Sequence, residues 1–241
     1  MDKRKNYYLV LDVETANSVN EPLVYDIGFA ICDKKGNKYV AESYAVADIF
    51  FDEKKIYGNY ELMDTAYYAE KLPRYYEGMK TGEWKVAPFM VIRKRILELM
   101  KEWDVKAVCA YNASFDMGAL NTTLRYLTKS RMRYFFPYGT EVMCIWHMAC
   151  QTLAKQRTFD RVAYRENWES EKGNVQTSAE VMWRYLTLKY DFEESHTGLA
   201  DVEIECMIMA KCFRQHKPMK TNINRACWRI PQAQYKEMKE I

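Results

Sequence analysis

The strongest pattern in the chain is at residues 7–13, YYLVLDV, where six apolar or aromatic positions surround a single acid, Asp12. A continuous apolar run of this length predicts a strand buried on both faces. Residues 24–32 and 38–46 are two further strand-like segments, and the turn-forming Asp33-Lys-Lys-Gly36-Asn37 separates them. These three predict an antiparallel meander. After Pro88 the period changes. Val91, Ile92, Ile96, Leu99 and Met100 share one stripe, which predicts a helix to about residue 103. Residues 107–110 are a short apolar strand, and Leu120, Leu124 and Leu127 mark a helix over about 115–128. A fifth strand is predicted at 141–145, with a helix to about 153. Thr177 and Glu180 have capping-box spacing for a helix to about 189. The last long helix spans about 198–215, with Leu199, Val202, Cys206, Ile208 and Met209 on its apolar face.

A meander followed by alternating helices and strands predicts an α/β fold. Its mixed five-stranded sheet has strands 1–3 antiparallel, strands 4–5 parallel, and helices on both faces. Three segments stand outside that frame. Residues 48–87 form a Tyr-rich insertion with Tyr57, Tyr60, Tyr67, Tyr68, Tyr75 and Tyr76, and a short helix at 66–71 is expected to stop at Pro73. Residues 155–174 predict an exposed basic excursion carrying Lys155, Arg157, Arg161 and Arg165. Residues 216–241 form a basic tail with Lys217, Lys220, Arg225 and Arg229. The expectation is one domain over 1–215 plus this tail.

Composition narrows the classes. The chain has 241 residues, 49% of them hydrophobic and 15% aromatic, which argues against disorder and allows a sizeable core. A net charge of +3 does not by itself signal nucleic acid. The N-terminus lacks the apolar segment of a signal peptide, and no stretch approaches the roughly 18 apolar residues of a membrane span. No membrane partner is expected. Seven cysteines without a CxxC pair read as small buried hydrophobes in a reducing, cytoplasmic setting. The spacings Cys144/Cys150 and Cys206/Cys212 match no common zinc motif.

The chemistry lies in acids at strand and helix ends: Asp12 and Glu14, then Asp116, then Asp201, with His196 five residues before the last. Asp-x-Glu alone carries little, since it occurs three times here and roughly one is expected by chance. Only Asp12/Glu14 ends a continuous apolar run. Of the three histidines, only His196 has an aspartate five residues on. Sites in open α/β sheets gather at the C-terminal ends of strands, where Asp12, Glu14 and Asp116 fall. Four carboxylates there call for cations, and a pair of divalent ions, Mg²⁺ or Mn²⁺ about 3.5–4 Å apart, serves phosphodiester hydrolysis. His196 is then the candidate general base.

DVET at 12–15, YNASFD at 111–116 and HTGLAD at 196–201 resemble the three motifs of the DEDDh, or DnaQ-like, 3′–5′ exonucleases, whose fold is ribonuclease-H-like. The resemblance implies that Asp12 bridges two metals, that Glu14 and Asp201 hold the one that activates water, and that Asp116 holds the other. It implies His196 as general base, Thr15 and Ala16 beside the terminal nucleotide, Asn112 near the scissile phosphate, and Phe115 within the substrate-binding motif. The chain departs from the family at Ala16-Asn17, where Thr-Gly is frequent. It also lacks the His-Gly-Ile-like segment before the first long helix, and 155–174 is longer than in minimal members. Catalysis carries over; substrate choice does not. The leading expectation is an exonuclease on single-stranded DNA or 3′ ends. The alternatives are an exoribonuclease on short or structured RNA and a non-catalytic nucleic-acid-binding protein on the same fold. A replication or repair partner would have to be a separate chain, and ribonuclease T and oligoribonuclease, which are homodimers, make a homodimer a further possibility implied by the resemblance.

Overall fold

The computed structural model describes residues 2–51 and 61–240. Tyr57, Tyr60, Lys54 and Lys55 lie outside the described residues. In chain order the elements are β1 (Tyr7–Ser18), β2 (Glu21–Asp33), β3 (Lys38–Val46), α1 (Ala47–Phe50), α2 (Leu72–Thr81) and β4 (Lys85–Ala87). Then come α3 (Phe89–Glu102), β5 (Val105–Ala110), α4 (Ala113–Thr128), β6 (Val142–Cys144), α5 (Ile145–Thr152) and α6 (Arg157–Arg165). The chain closes with α7 (Ala179–Thr187), α8 (Gly198–Arg214) and α9 (Gln232–Lys239).

The strands form one mixed sheet in the order β4-β3-β2-β1-β5-β6. β1, β2 and β3 pair antiparallel, as expected for the meander. β5 joins β1 in parallel and β6 joins β5 in parallel. The sheet has six strands rather than five. The extra strand, β4, is a three-residue edge strand parallel to β3, too short to leave a period in the sequence.

Alternation along β1 splits the core between the two faces. Leu9 and Leu11 point to the side covered by Ile92 and Ile96 of α3 and Leu120 of α4. Tyr8 and Val10 point to the side covered by Met148 of α5 and Val202 and Met209 of α8. Asp12 and Glu14 continue the second series, so they face the side on which α8 packs.

Several segments differ from expectation. Pro73 stands in the first turn of α2 instead of stopping a helix, because its missing N–H costs nothing there. The true N-cap of α7 is Ser178, whose hydroxyl accepts from the N–H of Val181; the Thr177 hydroxyl instead accepts from the Trp146 indole. Residues 155–174 are not simply exposed. They contain α6, and Phe159, Ala163 and Trp168 are buried. The basic tail packs against the same region. Tyr235 of α9 is fully buried and its hydroxyl donates to Glu169 at 2.6 Å, while the Val175 N–H donates to Gln232. Further back, the Cys144 N–H donates to the carbonyl of Thr221, and Gln151 donates to that of Lys220. All seven cysteines are buried and unbridged.

Candidate active site

The C-terminal half of β1 delivers Asp12, Glu14 and Thr15 to the floor of a cleft of about 500 Å³. A register irregularity between Glu14 and Thr15 bends the strand at that point. β5 ends at Ala110, and the first turn of α4 then brings in Asp116. Its carboxylate is buried and accepts the backbone N–H of Val13, which ties the helix to β1.

Asp201 arrives through a close backbone approach. Gly28 of β2 lies opposite Asp12 in the ladder. A Cβ built on Gly28 would sit 2.0 Å from the carbonyl carbon of Gly198, and one on Gly198 would sit 2.5 Å from the Gly28 nitrogen. Two glycines facing each other thus let the start of α8 press onto the sheet. Asp26, fully buried on β2, fixes this contact. It accepts from the Gly198 N–H at 2.9 Å, from the Tyr75 hydroxyl at 2.6 Å and from the Ser43 hydroxyl at 3.1 Å. Thr197 makes no side-chain cap, so Asp26 serves as the cap of α8 from another strand.

Glu14, His196 and Asp201 each offer one ligand atom within 4.8 Å of the others. His196 has a left-handed backbone, φ 51°, and its ring stacks on Tyr68 at 3.9 Å with the planes 8° apart. Thr15, Asn112 and Phe115 line the same cleft. Ala16 does not line it; the residue is buried in the core face beneath. Lys155, Arg157, Arg161 and Arg165 are exposed on or beside α6, away from the cleft. Of the tyrosines in the insertion, Tyr67 and Tyr68 form part of the cleft wall, whereas Tyr75 is core. The carbonyl of Thr15 accepts from the Tyr67 N–H, so the insertion is docked on the site by its backbone.

Two further acids enter the cleft, Glu205 and Glu194. Glu205 follows Asp201 by one helical turn and is only 3% exposed. Its Oε1 accepts from the Tyr111 N–H at 3.0 Å, and its Oε2 has no donor among the described residues. Asp201 Oδ1 and Glu194 Oε1 are likewise buried without a donor. The signal for Glu205 is its spacing: four residues after Asp201, it shares the helix face that carries the predicted ligand.

The electrostatics follow from crowding acids in a dry place. Burial pushes the Glu14 carboxyl up to about 9, with the nearby acids Asp201, Asp26 and Asp116 adding to it. Burial raises Asp116 and Asp201 to about 7. Glu194 is raised to about 8, by burial first and Asp201 next. Asp12 and Glu205 are driven well above the carboxylate range by burial and by neighbouring carboxylates. His196 is shifted down, by burial and then by Lys71. Among the described lining residues there are six acids and no lysine or arginine. Such a set does not remain ionised at neutral pH without cations.

No protein-family model matches the chain, and no curated protein matches its sequence. Comparison of the structure with solved ones does find matches. A product-bound exonuclease I superposes with a TM-score of 0.54 at 17% identity, covering 87% of this chain and 43% of that one. The fold is ribonuclease-H-like. E. coli exonuclease I in complex with a 5cy-dT13 oligonucleotide matches at 0.54 and 15% identity, covering 98% of this chain and 45% of the other. The cell-death related nuclease CRN-4 matches at 0.50 and 10% identity, with coverages of 90% and 67%. The chain spans less than half the length of the exonuclease I structures it matches. In this sheet Asp12 and Glu14 lie at the middle of β1, which runs on to Ser18 past the expected strand end, and Asp116 stands in the first turn of α4 after β5.

Proposed function

We propose that the protein is a metal-dependent 3′–5′ exonuclease that hydrolyses phosphodiester bonds in single-stranded DNA or at 3′ ends. The carrying observation is the convergence of Asp12, Glu14, Asp116, Asp201 and His196 from three separate segments on one cleft that holds no lysine or arginine among the described residues. The likeness of the fold to exonucleases supports the reaction class.

The donor set fits two divalent ions. Hard cations take carboxylate oxygens, and three buried carboxyl oxygens of the cleft have no partner among the described residues. Asp12, Glu14, Asp116 and Asp201 would hold the ions, with the free oxygen of Glu205 as a fifth carboxylate ligand. When bound, the ions neutralise the phosphate and lower the pKa of a water molecule toward 7. The chain's own residues do the rest. His196 stands beside Glu14 and Asp201, is kept neutral by burial and by Lys71, and takes the water's proton at a ring nitrogen. Tyr68 holds the imidazole plane by stacking on it. Asn112 is exposed at the N-cap of α4, within reach of a phosphate, and Phe115 offers an apolar ring beside it.

The test is a gel time course with 5′-labelled DNA and RNA strands of equal sequence in Mg²⁺, Mn²⁺ or EDTA. The expected result is a metal-dependent ladder that shortens one nucleotide at a time from the 3′ end, faster on DNA, and absent for Asp12→Ala and His196→Ala. A ladder faster on RNA makes the protein an exoribonuclease. Uncut strands in both metals overturn the proposal and leave a nucleic-acid-binding role.

A further inference from the structure

A second cleft, also about 500 Å³, adjoins the first. Val19, Asn112, Phe115 and Trp146 line both, so the two are compartments of one continuous groove. Their chemistry differs. The first is walled by acids. The second has no acid among its described lining residues and one cation, Arg225, from the segment between α8 and α9.

Arg225 is placed by a specific bond. Its Nε donates to the Ser114 hydroxyl at 2.7 Å, in the first turn of the sixteen-residue helix α4. That bond ties the guanidinium to the first turn of the helix, and its terminal amines have no partner among the described residues. A planar guanidinium with free amines is suited to two oxygens of a phosphate. The partial positive charge of a helix N-terminus adds to the same spot. Beside it, Phe115 and Trp146 present aromatic surface on which bases stack without regard to sequence.

We infer that this second cleft binds the nucleotides upstream of the scissile bond in a single-stranded nucleic acid, with Arg225 on a backbone phosphate and Phe115 and Trp146 against the bases. The inference rests on the exonuclease reading of the adjoining acidic cleft. It has an electrostatic logic. Acids that hold metal ions repel the rest of a polyanion, so a strand must be gripped beyond them. Among the described residues that line the groove, Arg225 is the arginine placed to do so.

Gly118 provides an independent handle. It lines the second cleft on the exposed face of α4, and a Cβ there would meet nothing within 4 Å. Gly118→Leu therefore starts from an open position and adds bulk to the cleft, and it replaces a helix-interior glycine that costs about 1 kcal/mol relative to alanine.

The experiment is fluorescence anisotropy with 5′-labelled dT8, rU8 and dT2, their 3′ linkages phosphorothioates to resist cleavage, over a salt series in Mg²⁺. For Arg225→Gln the expected result is about a tenfold loss of dT8 affinity, a smaller loss for dT2, and a salt slope shallower by about 0.7. Gly118→Leu weakens dT8 as well, with a melting temperature no lower than that of the wild type. The rU8 arm reads whether the cleft tolerates the 2′-hydroxyl. Unchanged dT8 affinity in both folded variants overturns the inference, even if the wild type degrades DNA. Loss of dT8 affinity in both variants, beside a wild type that cuts nothing, keeps the cleft and removes the exonuclease reading.

Discussion

Glu205 is a buried acid with one oxygen used by the backbone and the other left for a cation. Its Oε1 is held by the Tyr111 N–H, and its other oxygen is buried without a donor beside Asp12, Asp116 and Asp201. An uncompensated buried carboxylate is costly, and a divalent ion removes that cost. Glu205→Gln keeps the shape and the acceptor for Tyr111 while removing the charge. Calorimetric titration with Mn²⁺ is expected to show at least about a tenfold weaker affinity, the lower end for losing a group that supports a metal site. In EDTA the same variant should melt higher than the wild type at neutral pH, because the chain no longer has to hold a carboxyl protonated there in order to fold. A variant that binds Mn²⁺ as the wild type does makes Glu205 a backbone anchor only. At the same scale, Tyr68 covers one face of His196. Burial lowers the histidine's pKa, so uncovering the ring by Tyr68→Ala raises it back toward the ordinary histidine range. The base works when neutral. The acid limb of the kcat/KM profile at saturating Mg²⁺ should therefore move to higher pH in Tyr68→Ala and stay in place in Tyr68→Phe. A limb that does not move in Tyr68→Ala separates the stack from the base.

Elements meet at the site because β2 and α8 touch backbone to backbone at Gly28 and Gly198. A methyl group on Gly28 would overlap the Gly198 carbonyl carbon at 2.0 Å, and neither chain segment can rotate away as a side chain would. Gly28→Ala should cost about 3 kcal/mol, the upper range for forced overpacking, which lowers the melting temperature by roughly 6–12 °C at this chain length. It should also displace Asp201 from Glu14, so that Mn²⁺ affinity falls together with stability. Gly118→Ala, on the open face of α4, is the matched control and should be neutral or stabilising. A Gly28→Ala protein that melts and binds Mn²⁺ as the wild type does would remove the glycine contact from the account. This contact explains what was and was not legible in the sequence. The acids of β1 stood out because they end an uninterrupted apolar run, and His196 and Asp201 because their spacing is rare. Gly28 did not, since a glycine inside a strand shows nothing of the helix that will cross it. Asp26 was hidden in the same way: its partners Gly198, Tyr75 and Ser43 come from three other segments. Helix α6 was masked by charge, because Arg157, Arg161 and Arg165 line its outer face while Phe159 and Ala163, four apart, supply too short an apolar stripe to stand out. The buried end of the tail, Gln232 and Tyr235, makes its contacts with Val175 and Glu169, a pairing that no local period announces.

At the scale of the whole molecule, the acidic cleft sets how stability depends on pH. The folded chain holds Glu14 at about 9, Glu194 at about 8, and Asp116 and Asp201 at about 7, chiefly through burial. Unfolded, such groups titrate near 4. Between about pH 4 and about pH 9 the folded state therefore binds more protons than the unfolded state. Linkage then makes stability fall as pH rises through that window. The direction is opposite to that of ordinary paired carboxylates, which stabilise as pH rises. Divalent ions compete with these protons for the same oxygens, so their affinity increases with pH and they stabilise the folded state by mass action. Melting scans in EDTA should thus show a lower midpoint at about pH 8 than at about pH 6, and excess Mn²⁺ should raise the midpoint more at the higher pH. In Asp201→Asn the slope in EDTA should be shallower, because one of the proton-holding groups is gone. A midpoint in EDTA that climbs from pH 6 to pH 8 would mean that the acids are not held protonated together, and it would remove the electrostatic case for a cation pair. The two halves of the scan are one argument: the charge that destabilises the empty cleft is the charge that recruits its ions.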